Sequence, residues 1–225
     1  MGPKKNRINF TAFQGREIKL PRAILTKSNR GGTGINDNEA LLIERMKLAP
    51  GFRYDYILGA NFVFGDFIAS LLRIKELKTD HCMIATLGMS QKNVESLFEL
   101  MAEGYINRLS LHVSVFFYRT EKFGLINTIY NKLGEFGERF SLSVSSTHAK
   151  IIALEANELS IVCHGSANLR SNGNIEQITI EDNKQLYDFY IGIYGDIERV
   201  YGYVGHKLKT TETWDAIADK NFDEF

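Results

Sequence analysis

The most informative stretch of this sequence is residues 147–176, which read THAKIIALEANELSIVCHGSANLRSNGNIE. Apolar, strand-like runs cover residues 140–154 and 159–163, and the polar residues 155–158 between them are a plausible hairpin turn. His148 and Lys150 lie within the first run, and Ser166 and Asn168 follow shortly after the second run. The stretch therefore predicts adjacent strands with polar side chains collected at one end.

Two pairs of residues in this stretch have the spacing needed to meet at one point. His148 and Lys150 are two residues apart, so an extended chain projects an imidazole and an ammonium from the same face. Gly165 lets the backbone turn tightly, and Ser166 and Asn168, again two apart, offer hydroxyl and amide donors. A phosphate group fits between these two pairs.

A carboxylate completes the set. Glu176 begins a further predicted strand, and a carboxylate behind an imidazole fixes its tautomer and raises its basicity. No group of acidic and histidine residues has the spacing of a metal site, so we expect no metal and no cofactor. The residues predict a site for phosphoryl transfer that works without a metal.

These elements resemble the HKD motif of the phospholipase D superfamily. The resemblance is carried by three patterns: His148-x-Lys150, Gly165-Ser166-x-Asn168 and Asn174-x-Glu176. Five residues beyond the lysine the family has an aspartate, where this chain has Glu155. The resemblance implies an α/β fold, a phospholipase D-like domain with a mixed β-sheet flanked by helices, in which Glu155 and Gly165 support the site.

The resemblance also implies a mechanism and an assembly. Family members with one motif are similar to small endonucleases that pair as homodimers and share one site between two subunits. His148 would form a phosphohistidine intermediate, and Glu176 would orient the histidines. The phosphate oxygens would be held by Lys150, Asn168 and Ser166. The predicted function is that of a metal-independent phosphodiesterase, an endonuclease acting on DNA.

The charges are distributed unevenly along the chain. The 27 basic and 27 acidic residues cancel, yet residues 1–30 carry a net charge of +7 and the rest carries −7. We predict a basic N-terminal arm or accessory segment at 1–53, the phospholipase D-like domain at 54–205 and an acidic tail at 206–225. Candidate nucleic-acid contacts in the arm are Lys4, Lys5, Arg7, Arg16 and Lys19.

Two alternatives remain open at this stage. One is a phospholipid hydrolase, for which a flat apolar surface patch would be the structural sign. The other is a DNA-binding module that has lost turnover. No signal peptide or membrane-spanning run is recognisable, and Cys82 and Cys163 lie in apolar runs as expected of reduced core residues, so we expect a cytoplasmic protein.

The periodicity outside the central stretch predicts alternating strands and helices. Residues 28–34 have the composition of a loop, and Phe116, Phe117 and Tyr118 are expected to close a strand and to pack in the core. Strands are predicted at 82–87, 109–118, 140–154, 159–163 and 175–180. Helices are predicted at 38–47, after the capping residue Ser90, at 125–133 and at 184–200.

Overall fold

One mixed sheet organises the chain. The structure, a computed structural model, describes residues 31–36, 39–58, 63–121, 124–145, 147–170 and 174–204. The strands in this part of the chain are β1 (Gly31–Asn36), β2 (Arg53–Leu58), β3 (Thr79–Thr86), β4 (Ile106–Ser114), β5 (Phe140–Ser145), β6 (Ile151–Ala156), β7 (Leu159–Gly165), β8 (Glu176–Asp182) and β9 (Gly202–Val204). Their order across the sheet is β1-β2-β8-β7-β6-β3-β4-β5-β9. β3, β4 and β5 are mutually parallel, whereas β6, β7 and β8 alternate in direction.

Helices cover both faces of this sheet. They are α1 (Glu39–Arg45), α2 (Phe64–Ile74), α3 (Gln91–Ala102), α4 (Val115–Glu121), α5 (Leu125–Leu133) and α6 (Lys184–Tyr201), and a 3-10 helix spans Gly134–Arg139. Alternate residues of β6 face opposite ways: Ile152 and Leu154 belong to the larger core cluster, and Ile151 and Ala153 to a smaller one beneath α6. Burying an aliphatic side chain of this size contributes roughly 1.5–3 kcal/mol, so both layers stabilise the sheet.

The sheet face beneath α6 contains several buried polar side chains. Ser110 and His112 of β4 and Ser141 and Ser143 of β5 are all buried there. The ring of His112 lies 4.8 Å from that of Tyr194 in α6. Burial lowers the pKa of His112 to about 4, so this imidazole is neutral at physiological pH. Small serine side chains let α6 approach the sheet closely.

Most of the predicted elements are confirmed. α1, α5 and α6 occupy the predicted segments within a few residues. α3 follows Ser90, whose side chain accepts a hydrogen bond from the backbone N–H of Asn93 in a reciprocal capping box. Cys82 and Cys163 are buried and free, as expected. The fold is α/β with a mixed sheet, as the sequence predicted.

The prediction of a strand over 109–118 is wrong at its end. β4 stops at Ser114, and the Ser114 hydroxyl accepts a hydrogen bond from the backbone N–H of Phe117 at 3.0 Å, which caps the first turn of α4. Phe117 and Tyr118 are buried as expected, but the turn of the helix leaves Phe116 65% exposed. A side-chain cap thus decided where the strand ended.

Two further predictions need correction. The run 140–154 forms two strands with a break, because β5 pairs parallel to β4 whereas β6 pairs antiparallel to β3. The predicted loop 28–34 is wrong from Gly31 onward, since Gly31–Asn36 forms β1 and pairs with β2. Backbone pairing at the sheet edge, which does not depend on side chains, outweighs the low strand propensity of these glycines.

The division into arm, domain and tail stays a prediction. Residues 1–30 and 205–225 lie outside the described residues. Within the described part of the predicted accessory segment, Leu42, Ile43 and Phe52 are buried in the larger core cluster. Residues 39–53 therefore pack on the same core as the strands that follow. Among the helices that the structure describes, none is long and apolar enough to cross a membrane.

Candidate active site

The polar residues singled out in the sequence meet at one end of β6, β7 and β8. Residues 147–150 precede β6 without forming regular strand structure. Ile151 is paired with His164, and the backbone N–H of Gly165 donates to the carbonyl of Lys150 at 3.3 Å. This hydrogen bond joins the His148-x-Lys150 motif to the Gly165-Ser166-x-Asn168 motif, although Lys150 and Gly165 are fifteen residues apart in the sequence.

His148 and Lys150 contact each other directly. The Lys150 ammonium donates to the His148 carbonyl at 2.8 Å and lies 3.2 Å from His148 Nδ1. Because an ammonium can only donate, this contact fits a ring whose proton is on Nε2. Burial lowers the pKa of Lys150, and the nearby carboxylate of Glu176 raises it in part. The imidazole itself is exposed and accessible to substrate.

Ser166 and Glu176 form the second pair. The Ser166 hydroxyl donates a hydrogen bond to Glu176 Oε2 and accepts one from the backbone N–H of Gln177 at 2.9 Å. The backbone N–H of Ser166 donates to the Gln177 carbonyl at 2.9 Å. A Cβ on Gly165 would stand 2.1 Å from that same carbonyl oxygen, so glycine is the residue that fits. The turn after β7 is therefore fixed by close backbone approach.

Asn168 lies in the same turn and is partly buried. Its Oδ1 is buried and has no hydrogen-bond partner among the described residues. The neighbouring side chains Ala167 and Leu169 are buried in the larger core cluster, which anchors the turn on both sides of the amide. Oδ1 is an acceptor and cannot hold a phosphate oxygen, so the group of Asn168 that suits a bound phosphate is its Nδ2 donor.

Comparison with solved structures shows a similar fold in proteins of the phospholipase D superfamily. NucT from Helicobacter pylori matches over 67% of this chain and 99% of its own, with 14% identity and a TM-score of 0.50. Phosphatidylserine synthase from Haemophilus influenzae matches over 80% of this chain and 47% of its own, with 12% identity and a TM-score of 0.50. The chain has the phospholipase D fold.

A further solved structure matches the fold, but no known sequence family does. Polyphosphate kinase from Porphyromonas gingivalis also has a phospholipase D fold that matches over 65% of this chain and 26% of the kinase, with 12% identity and a TM-score of 0.50. The chain thus spans less than half of the synthase and of the kinase. No protein-family model and no curated protein sequence matches the chain.

Glu155 lies away from the other candidate residues of this phospholipase D fold. It stands at the far end of β6, where it accepts a hydrogen bond from the Ser160 hydroxyl and pairs with Lys184, each at 3.1 Å. These contacts link the β6–β7 hairpin to α6. Glu155 is thus placed to support the fold, and any influence on His148 has to pass along β6.

The remaining candidates cannot be placed next to the site. Lys4, Lys5, Arg7, Arg16 and Lys19 lie outside the described residues. In the part of the chain that the structure covers, no group of three or more His, Cys, Asp or Glu side chains is arranged to hold a metal ion. Contacts of these arm residues with nucleic acid stay a prediction.

Sequence reasoning missed one contact of the candidate site. The hydroxyl of Tyr194 in α6 lies 3.1 Å from Thr147 Oγ1, directly before His148. The sequence contains only a weak signal of this contact. Tyr187 and Tyr194 are seven residues apart and so lie on one helix face. That spacing indicates packing on the sheet but does not identify a partner 47 residues earlier.

Proposed function

We propose that this chain is a phosphodiesterase that cleaves nucleic acid through a covalent phosphohistidine, without a metal, in a site shared by two copies. One observation carries the proposal. In a phospholipase D fold, the pair His148–Lys150 and the pair Ser166–Glu176 lie at the same end of neighbouring strands, linked by the hydrogen bond from Gly165 to Lys150.

The first step is attack by Nε2 of His148 on the phosphorus. A nitrogen–phosphorus bond forms, the bond from phosphorus to the leaving oxygen breaks, and His148 of the second subunit protonates that oxygen. Attack requires a lone pair on Nε2 and hence the ring proton on Nδ1. Lys150 must therefore turn from Nδ1 to a phosphate oxygen when substrate binds, and Glu176 is the carboxylate proposed to hold the Nδ1 proton.

The second step releases the product and restores both rings. His148 of the second subunit, now neutral, takes a proton from water, the water oxygen attacks the phosphorus, and the nitrogen–phosphorus bond breaks. Lys150 and Asn168, supported by Ser166, donate hydrogen bonds to the non-bridging oxygens, whose negative charge increases in the transition state. Lys150 moves when substrate binds, whereas Ser166 and Asn168 are fixed by the tight turn and need little reorganisation during the reaction.

Two copies are proposed because the described part of one chain offers one exposed imidazole at this place. His164 is engaged with Glu181 at 3.1 Å, and His81 with Ser110 at 2.9 Å. His112 is fully buried beneath α6. Double displacement uses one histidine as nucleophile and another as general acid, so the His148 of a second copy is proposed to supply the acid.

Nucleic acid is the proposed substrate because of the charge distribution. The +7 arm of residues 1–30 suits a long polyanion, and phosphate contacts supply most of the affinity of such complexes. A phospholipid is the second candidate. Phe116 and Ile175 are 65% and 64% exposed, and both lie at the end of the sheet that carries the site. Exposed apolar side chains of this kind can also contact a lipid surface.

Hydrolysis by the wild-type chain in excess EDTA tests the proposal. The substrates are single-stranded DNA, duplex DNA, an RNA oligonucleotide and phosphatidylglycerol vesicles. We expect cleavage of at least one nucleic acid at a rate that EDTA leaves unchanged and that added salt lowers, since salt weakens phosphate contacts. Cleavage of vesicles alone would favour the second candidate. Cleavage that needs added Mg²⁺ would contradict the proposed chemistry.

A further inference from the structure

The segment that carries His148 is held from the side by α6. Residues 147–150 lie between β5 and β6 and have no regular strand structure of their own. Thr147 Oγ1 accepts a hydrogen bond from the backbone N–H of Ala149 at 3.2 Å and lies 3.1 Å from the hydroxyl of Tyr194. The Thr147 hydroxyl thus connects the backbone on both sides of His148 to the helix.

Tyr194 is itself buried. Its side chain is 6% exposed and belongs to the smaller core cluster, which also contains Ile151 and Ala153 of β6. Its ring also lies 4.8 Å from the buried ring of His112, at an interplanar angle of 58°. A tyrosine packed on two strands presents its hydroxyl at a well-defined point, because only two side-chain torsions place it.

We propose that Tyr194 is a positioning residue that sets the place of His148 through the hydroxyl of Thr147. The inference rests on the proposed function, since it concerns the alignment of the nucleophile. Neither Tyr194 nor Thr147 takes part in bond making or breaking. Without the tyrosine hydroxyl, Thr147 loses its anchor on α6, so its bond to Ala149 opens more often and the segment moves relative to Ser166 and Asn168.

Tyr194→Phe tests this directly, with Tyr187→Phe as the matched control. Tyr187 lies on the same helix, belongs to the same cluster and is 7% exposed, but it is seven residues earlier, next to Lys184 and toward the far end of β6. We expect Tyr194→Phe to lower kcat about tenfold with little change in KM, because misplacement of a nucleophile acts on the reacting geometry. Tyr187→Phe should keep kcat within about twofold.

Substitutions of Thr147 provide a second, independent series. Thr147→Ser keeps the hydroxyl and should retain near wild-type kcat. The isosteric Thr147→Val should lower kcat at least as much as Tyr194→Phe does, because it also removes the acceptor of the Ala149 N–H. If Tyr194 acts through the Thr147 hydroxyl, the double variant Tyr194→Phe with Thr147→Val should be no slower than Thr147→Val alone. Additive losses would contradict the proposed link.

Amide hydrogen exchange supplies a readout that does not depend on turnover. The Ala149 N–H is bonded to Thr147, so its exchange should accelerate in Tyr194→Phe and stay unchanged in Tyr187→Phe. An unchanged kcat or an unchanged Ala149 exchange rate in Tyr194→Phe overturns the inference. Failure of the proposed function looks different, because the wild type would then show no cleavage that depends on His148.

Discussion

Replacing His148 by alanine is expected to lower phosphodiester cleavage by roughly 10³-fold or more, since the side chain serves as nucleophile in one subunit and as acid and base in the other. His148 is exposed, so its removal leaves no buried partner uncompensated and the fold should persist. The measurement is kcat/KM on the best substrate in EDTA, together with the circular dichroism spectrum of the variant.

His164→Gln is the matched control for that experiment. His164 lies on β7 directly before Gly165, and its Nε2 is 3.1 Å from Glu181. Glutamine keeps a polar group that can reach this carboxylate, so we expect activity within about threefold of wild type. Full activity in His148→Ala would refute the proposed mechanism. DNA binding by a wild type that never cleaves would instead favour the non-catalytic module considered from the sequence.

Gly165→Ala is expected to have the largest effect on stability. The new methyl carbon would stand 2.1 Å from the Gln177 carbonyl oxygen and 2.9 Å from Ile178 Cα. Both are backbone atoms of β8, so neither can rotate away as a flexible side chain would. We expect a loss of roughly 3 kcal/mol in the free energy of unfolding, measured by urea denaturation, and loss of activity because Ser166 is displaced.

Gly195→Ala is the contrasting substitution. Gly195 lies within α6, and a Cβ there meets nothing within 4 Å. Alanine in a helix interior is more favourable than glycine by roughly 0.5–1 kcal/mol, so this variant should be slightly more stable than wild type. Equal stability of the two variants would show that the contact between β7 and β8 is looser than the structure indicates.

The fold and the pairing of the two motifs could be predicted because they depend on local patterns. The spacing of His148 and Lys150 predicts that they lie together, and the glycine at 165 predicts a tight turn. The alternation of strand-like and helix-like runs predicted the α/β fold, and the resemblance to the phospholipase D superfamily then named it. The extent of two strands was predicted wrongly. A local side-chain cap at Ser114 ends β4, and the run 140–154 divides because β5 and β6 pair with different strands in different directions.

The surroundings of the site could not be predicted for a physical reason. The contact between Thr147 and Tyr194 spans 47 residues and depends on how closely α6 packs on a serine-rich sheet face. Glu155 and Glu176 are both carboxylates near the motif in sequence, yet one bonds Ser160 and Lys184 and the other Ser166. Only the register of β6, β7 and β8 decides which carboxylate lies next to Lys150.

The central claim is that two copies of His148 form one site, and mixing subunits tests it most directly. Wild type and His148→Ala are combined in equal amounts, subunit exchange is allowed to finish, and cleavage is measured in EDTA. Random pairing leaves about one quarter of the dimers with two intact chains, so we predict about one quarter of the activity of an equal total amount of wild type. Activity of about one half would show that each chain acts alone and would contradict the shared site.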